Sequence, residues 1–410
     1  MATLFLIIIY LSFISLGLPD SLLGAAWPVI QADFGAPFGA AGVLSIIIAS
    51  GTIVSSLASG TVLKRLGTGK VTLISCFMTA AALLGFYFAP SISWLMVLAL
   101  PLGLGAGSVD AALNNYVATN YKAHHMSWLH SFWGVGATLG PIIMSGFIRE
   151  HDLWRDGYLT VAVIQFALVV VLFITLPLWK RMEKVQSHPV IEGQGPQDNL
   201  YDAESTEQPM RIKGVKLTLM TFLFYCGAEA TVGLWGSSFL VNVKDLSAAT
   251  AAQWVSMYYG GITVGRFITG FVTLKVSNRV LIRSGLLIAL AGASLLLLPL
   301  PTFVSLIGFM LIGLGFAPIF PCMLHATPER FGKEQTQKLM GYQMATAYTG
   351  TTLLPPLLGW IAAQTTIAIL PFFVAIYIAV MLFGSERVNR IMKLRSLRSE
   401  TASTNHSMNA

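Results

Sequence analysis

Asp20 and Asp110 stand inside long apolar runs, IIIYLSFISLGLPDSLLGAAWPVI and VLALPLGLGAGSVDAALNNYV, and Glu229 repeats the arrangement in LMTFLFYCGAEATVGLWG. A carboxylate at bilayer depth costs at least ~2.5 kcal/mol, so it marks a function and its helix is expected to face a polar cavity. A carboxyl enclosed in low dielectric favours its neutral form. If it is protonated facing one side of a membrane and ionised facing the other, it couples proton movement to alternating access. This chemistry needs no bound metal, nucleotide or other cofactor; a proton gradient supplies the energy, with sodium as the alternative coupling ion.

The spacing around the two aspartates puts them on defined faces. Gly103, Gly107, Asp110 and Asn114 recur at four, three and four residues, and Gly17, Asp20, Gly24 and Trp27 at three, four and three. Both patterns lie along one side of a helix. The glycines admit a close neighbouring helix, which packing alone also explains, and the acid on the same stripe faces what that neighbour encloses. For the acids the competing reading is a structural pair with Arg266 or a histidine. Asp110 ranks first as proton carrier because Asn114 and Asn115 sit one turn away, and Asp20 ranks second.

A sugar site needs hydroxyl partners and a flat apolar face. Residues of those types are His130 and Trp133, Glu229 and Trp235, His325, Tyr342 and Gln343, together with Asn114 and Asn115. Helix packing or an interfacial belt is the competing reading for each tryptophan. A hydrogen-bonded core position is the competing reading for each histidine. Gln343 deep in a span must find amide partners.

These residues have to be positioned by membrane helices. Of 410 residues, 55% are hydrophobic and 10% charged, with a mean hydropathy of +0.71. Soluble domains carry about a quarter charged residues, so a soluble domain is excluded. About twelve apolar runs are long enough to cross a bilayer. The first has no charged leader region and reads as a retained helix. Cys76, Cys226 and Cys322 fall inside spans and read as buried thiols, not disulfides. With both termini cytoplasmic, 21 of the 25 Lys and Arg fall on the cytoplasmic side, three (Arg149, Arg155, Lys244) outside, and Arg266 within a span. That bias is the positive-inside rule. It also gives the net charge of +7 a topological origin in place of nucleic-acid binding. Arg266, about two turns from the cytoplasmic end of its span, is expected to snorkel to that surface or cap helix carbonyls.

The polar stretch SHPVIEGQGPQDNLYDAESTEQP separates two halves. The expected organisation is a six-helix bundle over 1–179, a cytoplasmic linker over 180–213, a second six-helix bundle over 214–388 and a cytoplasmic tail over 389–410. Gly17 and Gly227, Gly51 and Gly261, Gly60 and Gly270, and GLGA at 103–106 with GLGF at 313–316 all share an offset of 210 residues. The chain reads as a duplication whose halves enclose a midplane site, an arrangement of secondary transporters. Pro141, Pro318, Pro321, Pro355 and Pro356 are expected to bend the lining helices.

The segment from Gly60 through Arg65 and Gly67 to Lys70 resembles the loop signature between helices two and three of the major facilitator superfamily, with Lys64 where the signature has an aspartate. Gly265, Arg266 and Gly270 are similar to its second copy. The resemblance implies gating roles for Gly60, Arg65, Gly67, Arg266 and Gly270. Four segments are similar to the fucose–proton symporter family, which includes bacterial glucose and mannose permeases. They are Val109–Asn115, the surroundings of Asp20, Tyr225–Glu229 and Phe320–Leu324. Asp110 stands where that family has a glutamate, and Pro19 where fucose members have asparagine. The resemblance implies an all-α, twelve-helix monomer in the bacterial inner membrane, with its proton carriers at Asp110 and Asp20. It would import a neutral sugar or similar polar solute. A proton-coupled drug or metabolite exporter and a non-transporting solute sensor are the alternatives. No GxSxG or HExxH segment supports an intramembrane hydrolase.

Overall fold

The computed structural model describes residues 2–121, 123–151, 153–186, 209–273, 275–332 and 336–408. Among these the regular elements are helical. The first half comprises α1 (Ala2–Asp20), α2 (Leu22–Phe34), α3 (Ala40–Leu66), α4 (Thr68–Tyr87), α5 (Ile92–Asn120), α6 (Ala123–His151) and α7 (Trp154–Gln186). The second comprises α8 (Val215–Lys244), α9 (Ala248–Val272), α10 (Asn278–Leu297), α11 (Phe303–Phe316), α12 (Ile319–His325), α13 (Thr327–Phe331), α14 (Thr336–Gln364) and α15 (Leu370–Met408).

Ten helical segments among the described residues are long and apolar enough to cross a membrane. Two more, α9 and α14, have the length, 25 and 29 residues, but carry more polar side chains. The outer surface is apolar: Leu57, Phe173, Phe271 and Trp360 are exposed. Such a surface requires lipid. The chain is therefore an integral membrane protein with an all-α polytopic fold.

The first span is two helices because Pro19 has no N–H to give the carbonyl of Ser15. The side chain of Gln165 on α7 donates to that freed carbonyl at 2.7 Å. Asp20 is the last residue of α1, at the break. Pro318 likewise stands between α11 and α12, whereas Pro141, Pro355 and Pro356 are accommodated within α6 and α14. The three cysteines are free and buried.

Two boundaries differ from the sequence reading. Helix α7 continues to Gln186, so the expected linker begins as helix, and its residues 187–208 lie outside the described ones. The expected tail from 389 is the uninterrupted continuation of α15, because RVNRIMKLRSLRSE is made largely of good helix formers.

The duplication is visible in helix crossings. A Cβ on Gly51 would meet the backbone of Leu100 and Leu104, and one on Gly261 that of Met310 and Leu314. Gly103 abuts the carbonyl of Ile48, and Gly313 that of Tyr258. Every partner is displaced by the same 210 residues as the glycines. Thus α3 crosses α5 as α9 crosses α11, and only a missing side chain permits either crossing.

Across the halves α6 packs on α9, α3 on α14 and α2 on α8. With an even number of spans in each half among the described residues, the starts of α1 and α8 and the ends of α7 and α15 share one end of the molecule, the linker end. At the opposite, far end the halves touch: Gly24 against Gly233, Gly42 against Pro356, Ser237 donating to the carbonyl of Ala25 at 3.2 Å, and Ser145 to that of Ala249 at 2.8 Å. Toward the linker end α3 and α14 diverge. A Cβ on Gly60 or Gly341 would meet nothing within 4 Å, and Gly60 lies about 27 Å along α3 from Gly42. The cavity between the halves opens at the linker end.

Candidate functional site

The site is assembled where α1 breaks. Exposed at the break, Asp20 accepts a hydrogen bond from the indole N–H of Trp133 on α6 at 2.8 Å. The Arg266 guanidinium, on α9, lies 5.4 Å from the centroid of the Trp133 ring. Arg266 also pairs with Glu229 on α8 at 3.3 Å, the two side chains being 12% and 16% exposed. Tyr225, one turn before Glu229, accepts from the same guanidinium at 3.5 Å. The Tyr258 hydroxyl donates to the Glu229 carbonyl at 3.1 Å. One chain of contacts thus runs from a carboxylate of the first half to a carboxylate of the second.

A second cluster sits on α5. The Asn114 amide donates to Asp110 at 2.9 Å. Tyr348 on α14 points its hydroxyl toward Asp110 and Ser56, which brings a second-half side chain onto a first-half acid. Asn115 is exposed beside this pair. Asp20 lies within electrostatic reach of Asp110, which places the two carboxylates in one region of the first half.

The structure therefore gathers Asp20, Asp110, Asn114, Trp133 and Glu229, with His130 at their edge. The His130 ring lies between Phe13 and Phe320, at 5.9 and 6.3 Å, in the manner of a packed aromatic. Arg266 corrects the sequence reading. Instead of snorkelling to the surface it turns into the bundle, because Glu229 one helix away supplies the opposite charge.

Four expected sugar contacts lie elsewhere. Trp235 is fully buried, donates to the Pro355 carbonyl at 2.8 Å and stacks on Phe38 at 4.8 Å; it belongs to the far-end seal. Gln343 is 1% exposed and exchanges hydrogen bonds with Thr327 at 3.0 and 3.2 Å. Its amide is paired with Thr327 on α13 and closed off from the space between the halves by burial. His325 is exposed and bonded to Asn278, at the linker-end start of α10, at 3.0 Å. Tyr342 is exposed toward the linker end of α14.

The signature glycines and arginine are at the linker end. Gly67 holds φ +76° at the tight junction of α3 and α4, and Arg65 is exposed beside it. Gly60 and Gly270 both face open space.

Tyr348 and Gln165 are not among the residues the sequence singles out, and Tyr225 enters there only as part of the family-like segment Tyr225–Glu229, without a site role. For Tyr348 a signal existed: its helix α14 is long enough to span but falls outside the ten segments apolar enough to cross a membrane, which is how a helix lining water differs from one facing lipid. Gln165 had a weaker one, a lone amide in an apolar span.

The family model described as the Major Facilitator Superfamily matches residues 9–335 and 217–394. The glucose/mannose transporter GlcP of Bacillus subtilis (strain 168) is 27% identical over 306 residues, 73% of this chain and 73% of that protein. Among solved structures, the E. coli fucose:proton symporter FucP superposes with a TM-score of 0.61 at 15% identity, covering 93% of this chain and 98% of that one. The nucleoside transporter NupG superposes with a TM-score of 0.71 at 15% identity, again covering 93% and 98%. At those identities the two structures speak for the fold alone.

Proposed function

The chain belongs to the Major Facilitator Superfamily, and from that premise we propose that it carries a neutral sugar or similar polar solute together with protons by alternating access. The resemblances are to transporters, not enzymes. The observation that carries the reading is the pair Asp20 and Asp110 in one region of the first half, each bonded to a group that senses its charge: the Trp133 indole and the Asn114 amide. A carboxylate accepts a stronger hydrogen bond ionised than neutral, so protonation changes what each acid holds.

Neutral cargo is supported by charge balance. Arg266 is already met by Glu229, so an anionic solute would have to displace a carboxylate. The amides and hydroxyls beside Asp110 suit a polyhydroxylated solute better than a lipophilic drug. The similarity to a glucose/mannose transporter favours a hexose. We read the linker end, rich in Lys and Arg, as cytoplasmic and the membrane as a bacterial inner membrane, so that the cavity opens inward.

The test is uptake of radiolabelled glucose, mannose and fucose into proteoliposomes. Accumulation driven by an inside-alkaline pH gradient and collapsed by a protonophore is expected. Accumulation that needs sodium and ignores the gradient would overturn proton coupling, and export of lipophilic dyes without hexose uptake would overturn the substrate class.

A further inference from the structure

We propose that Trp133 is a positioning residue that transmits the charge state of Asp20, in the first half, to Arg266, in the second. The inference rests on the proton-coupled reading above and assigns the side chain that carries the signal between the halves.

The geometry is that of a rigid lever with two working surfaces. The edge of the indole donates to Asp20 at 2.8 Å, while its π face lies 5.4 Å from the Arg266 guanidinium. Both contacts belong to one planar group, so tilting the ring to change one changes the other. Its pivot is fixed, because the Trp133 backbone carbonyl lies against Gly17 of α1, where a Cβ could not fit. Beyond Arg266 the contacts are loose: 3.3 Å to Glu229 and 3.5 Å to Tyr225, longer than the usual 2.7–3.2 Å or so for N–H to oxygen. Arg283 shows the contrast within the same half, clamping Glu386 through two nitrogens. Arg266 is shared among three partners where Arg283 is committed to one.

The consequence has a direction. Ionised Asp20 holds the indole N–H by a charge-assisted bond and keeps the ring under Arg266. Protonation weakens that bond, frees the ring and releases Arg266 to close on Glu229. Since α6 and α9 are packed across the halves, the release loosens a contact between them. The charged and titratable groups around the lever are Asp110 on α5, His130 on α6, Tyr225, Cys226 and Glu229 on α8, Tyr258 and Tyr259 on α9 and Tyr348 on α14.

Trp133→Phe deletes the N–H and keeps a ring face. In proteoliposomes assayed with radiolabelled glucose and mannose, we expect it to reduce pH-gradient-driven accumulation about 10-fold, the scale of one hydrogen bond to a charged group. Equilibrium exchange, which moves no net proton, should lose only what the smaller ring costs solute binding, so the ratio of accumulation to exchange falls, and the pH profile of exchange should flatten to that of Asp20→Asn. Arg266→Lys, which keeps charge for Glu229 but not the planar stack, should show the same split and decides the matter if Trp133→Phe does not fold. Wild-type gradient stimulation in the variants overturns the lever alone, as does a loss that falls equally on exchange and accumulation. Absence of stimulation in the unaltered protein removes the proton-coupled reading and the lever with it.

Discussion

Asp110 and Asp20 lie in one region of the first half but have different neighbours, and their substitutions should differ accordingly. Asp110 is held by a side chain of its own helix, Asn114, and faced by Tyr348 from the other half. Asp110→Asn removes the exchangeable charge and keeps the shape. Accumulation against a gradient should be abolished while solute exchange persists; intact accumulation would remove Asp110 from the proton path. Gln165 acts on stability. Gln165→Leu leaves the Ser15 carbonyl without its donor, a cost of about 1–3 kcal/mol. Because Gln165 Oε1 itself has no partner among the described residues, its removal offsets part of that, and a loss near 1 kcal/mol is expected. Pro19→Ala restores the helix's own N–H, so in that background Gln165→Leu should cost less; a thermal-denaturation double-mutant cycle with no coupling contradicts the assignment. The acids could be found in the sequence because a charge in an apolar run is an energetic anomaly in itself. Arg266 was misplaced because sequence shows that a charge needs a partner but not whether water or Glu229 provides it. Gln343 was misread for the same reason, its partner Thr327 lying on a helix too short to stand out.

At the scale of the helices, the repeated glycines separate into two kinds that spacing alone cannot distinguish. Gly103 and Gly313 abut carbonyls of the neighbouring helix, whereas Gly60 and Gly270 face open space. Gly103→Ala must force the α3–α5 crossing apart, costing about 1–3 kcal/mol. Gly60→Ala relieves the backbone entropy of a mid-helix glycine and should be neutral or stabilising by about 0.5–1 kcal/mol. If Gly60 and Gly270 meet a partner only when the linker end closes, Gly60→Ala and Gly270→Ala will slow uptake while thermal stability holds. Equal stability losses at Gly60 and Gly103 in a detergent thermal-shift assay would contradict this division. The spans themselves were legible because the bilayer imposes a length and an apolar character on each. The break after Asp20 was not located, although Pro19 signals it, because its placement depends on Gln165 from a distant helix. The continuation of α15 through Met408 is not legible in the apolar pattern, because charge marks the end of the lipid and not the end of the helix.

For the whole molecule, the twofold plan was readable from the 210-residue offset, since duplicated crossings require duplicated glycines. Which end is open was not, because either conformation satisfies the same helices and differs only in contacts between halves. Those contacts run from the middle of the molecule to the far end, where Arg149 on α6 reaches Gln253 on α9 at 3.4 Å. Alternating access requires that this end part as the linker end closes. Cysteines introduced at Arg149→Cys and Gln253→Cys and joined by a short bifunctional methanethiosulfonate should therefore hold the molecule open at the linker end and stop uptake, and reduction should restore it. The native Cys76, Cys226 and Cys322 are buried and leave little background for the reagent. In the joined protein, Asn115→Cys, exposed toward the linker end of α5, should react with an impermeant maleimide from the linker side and stay protected from the other. Uptake continuing at the wild-type rate with the bridge in place would mean that the far end need not open, and a rocking exchange between the two halves would no longer describe this protein.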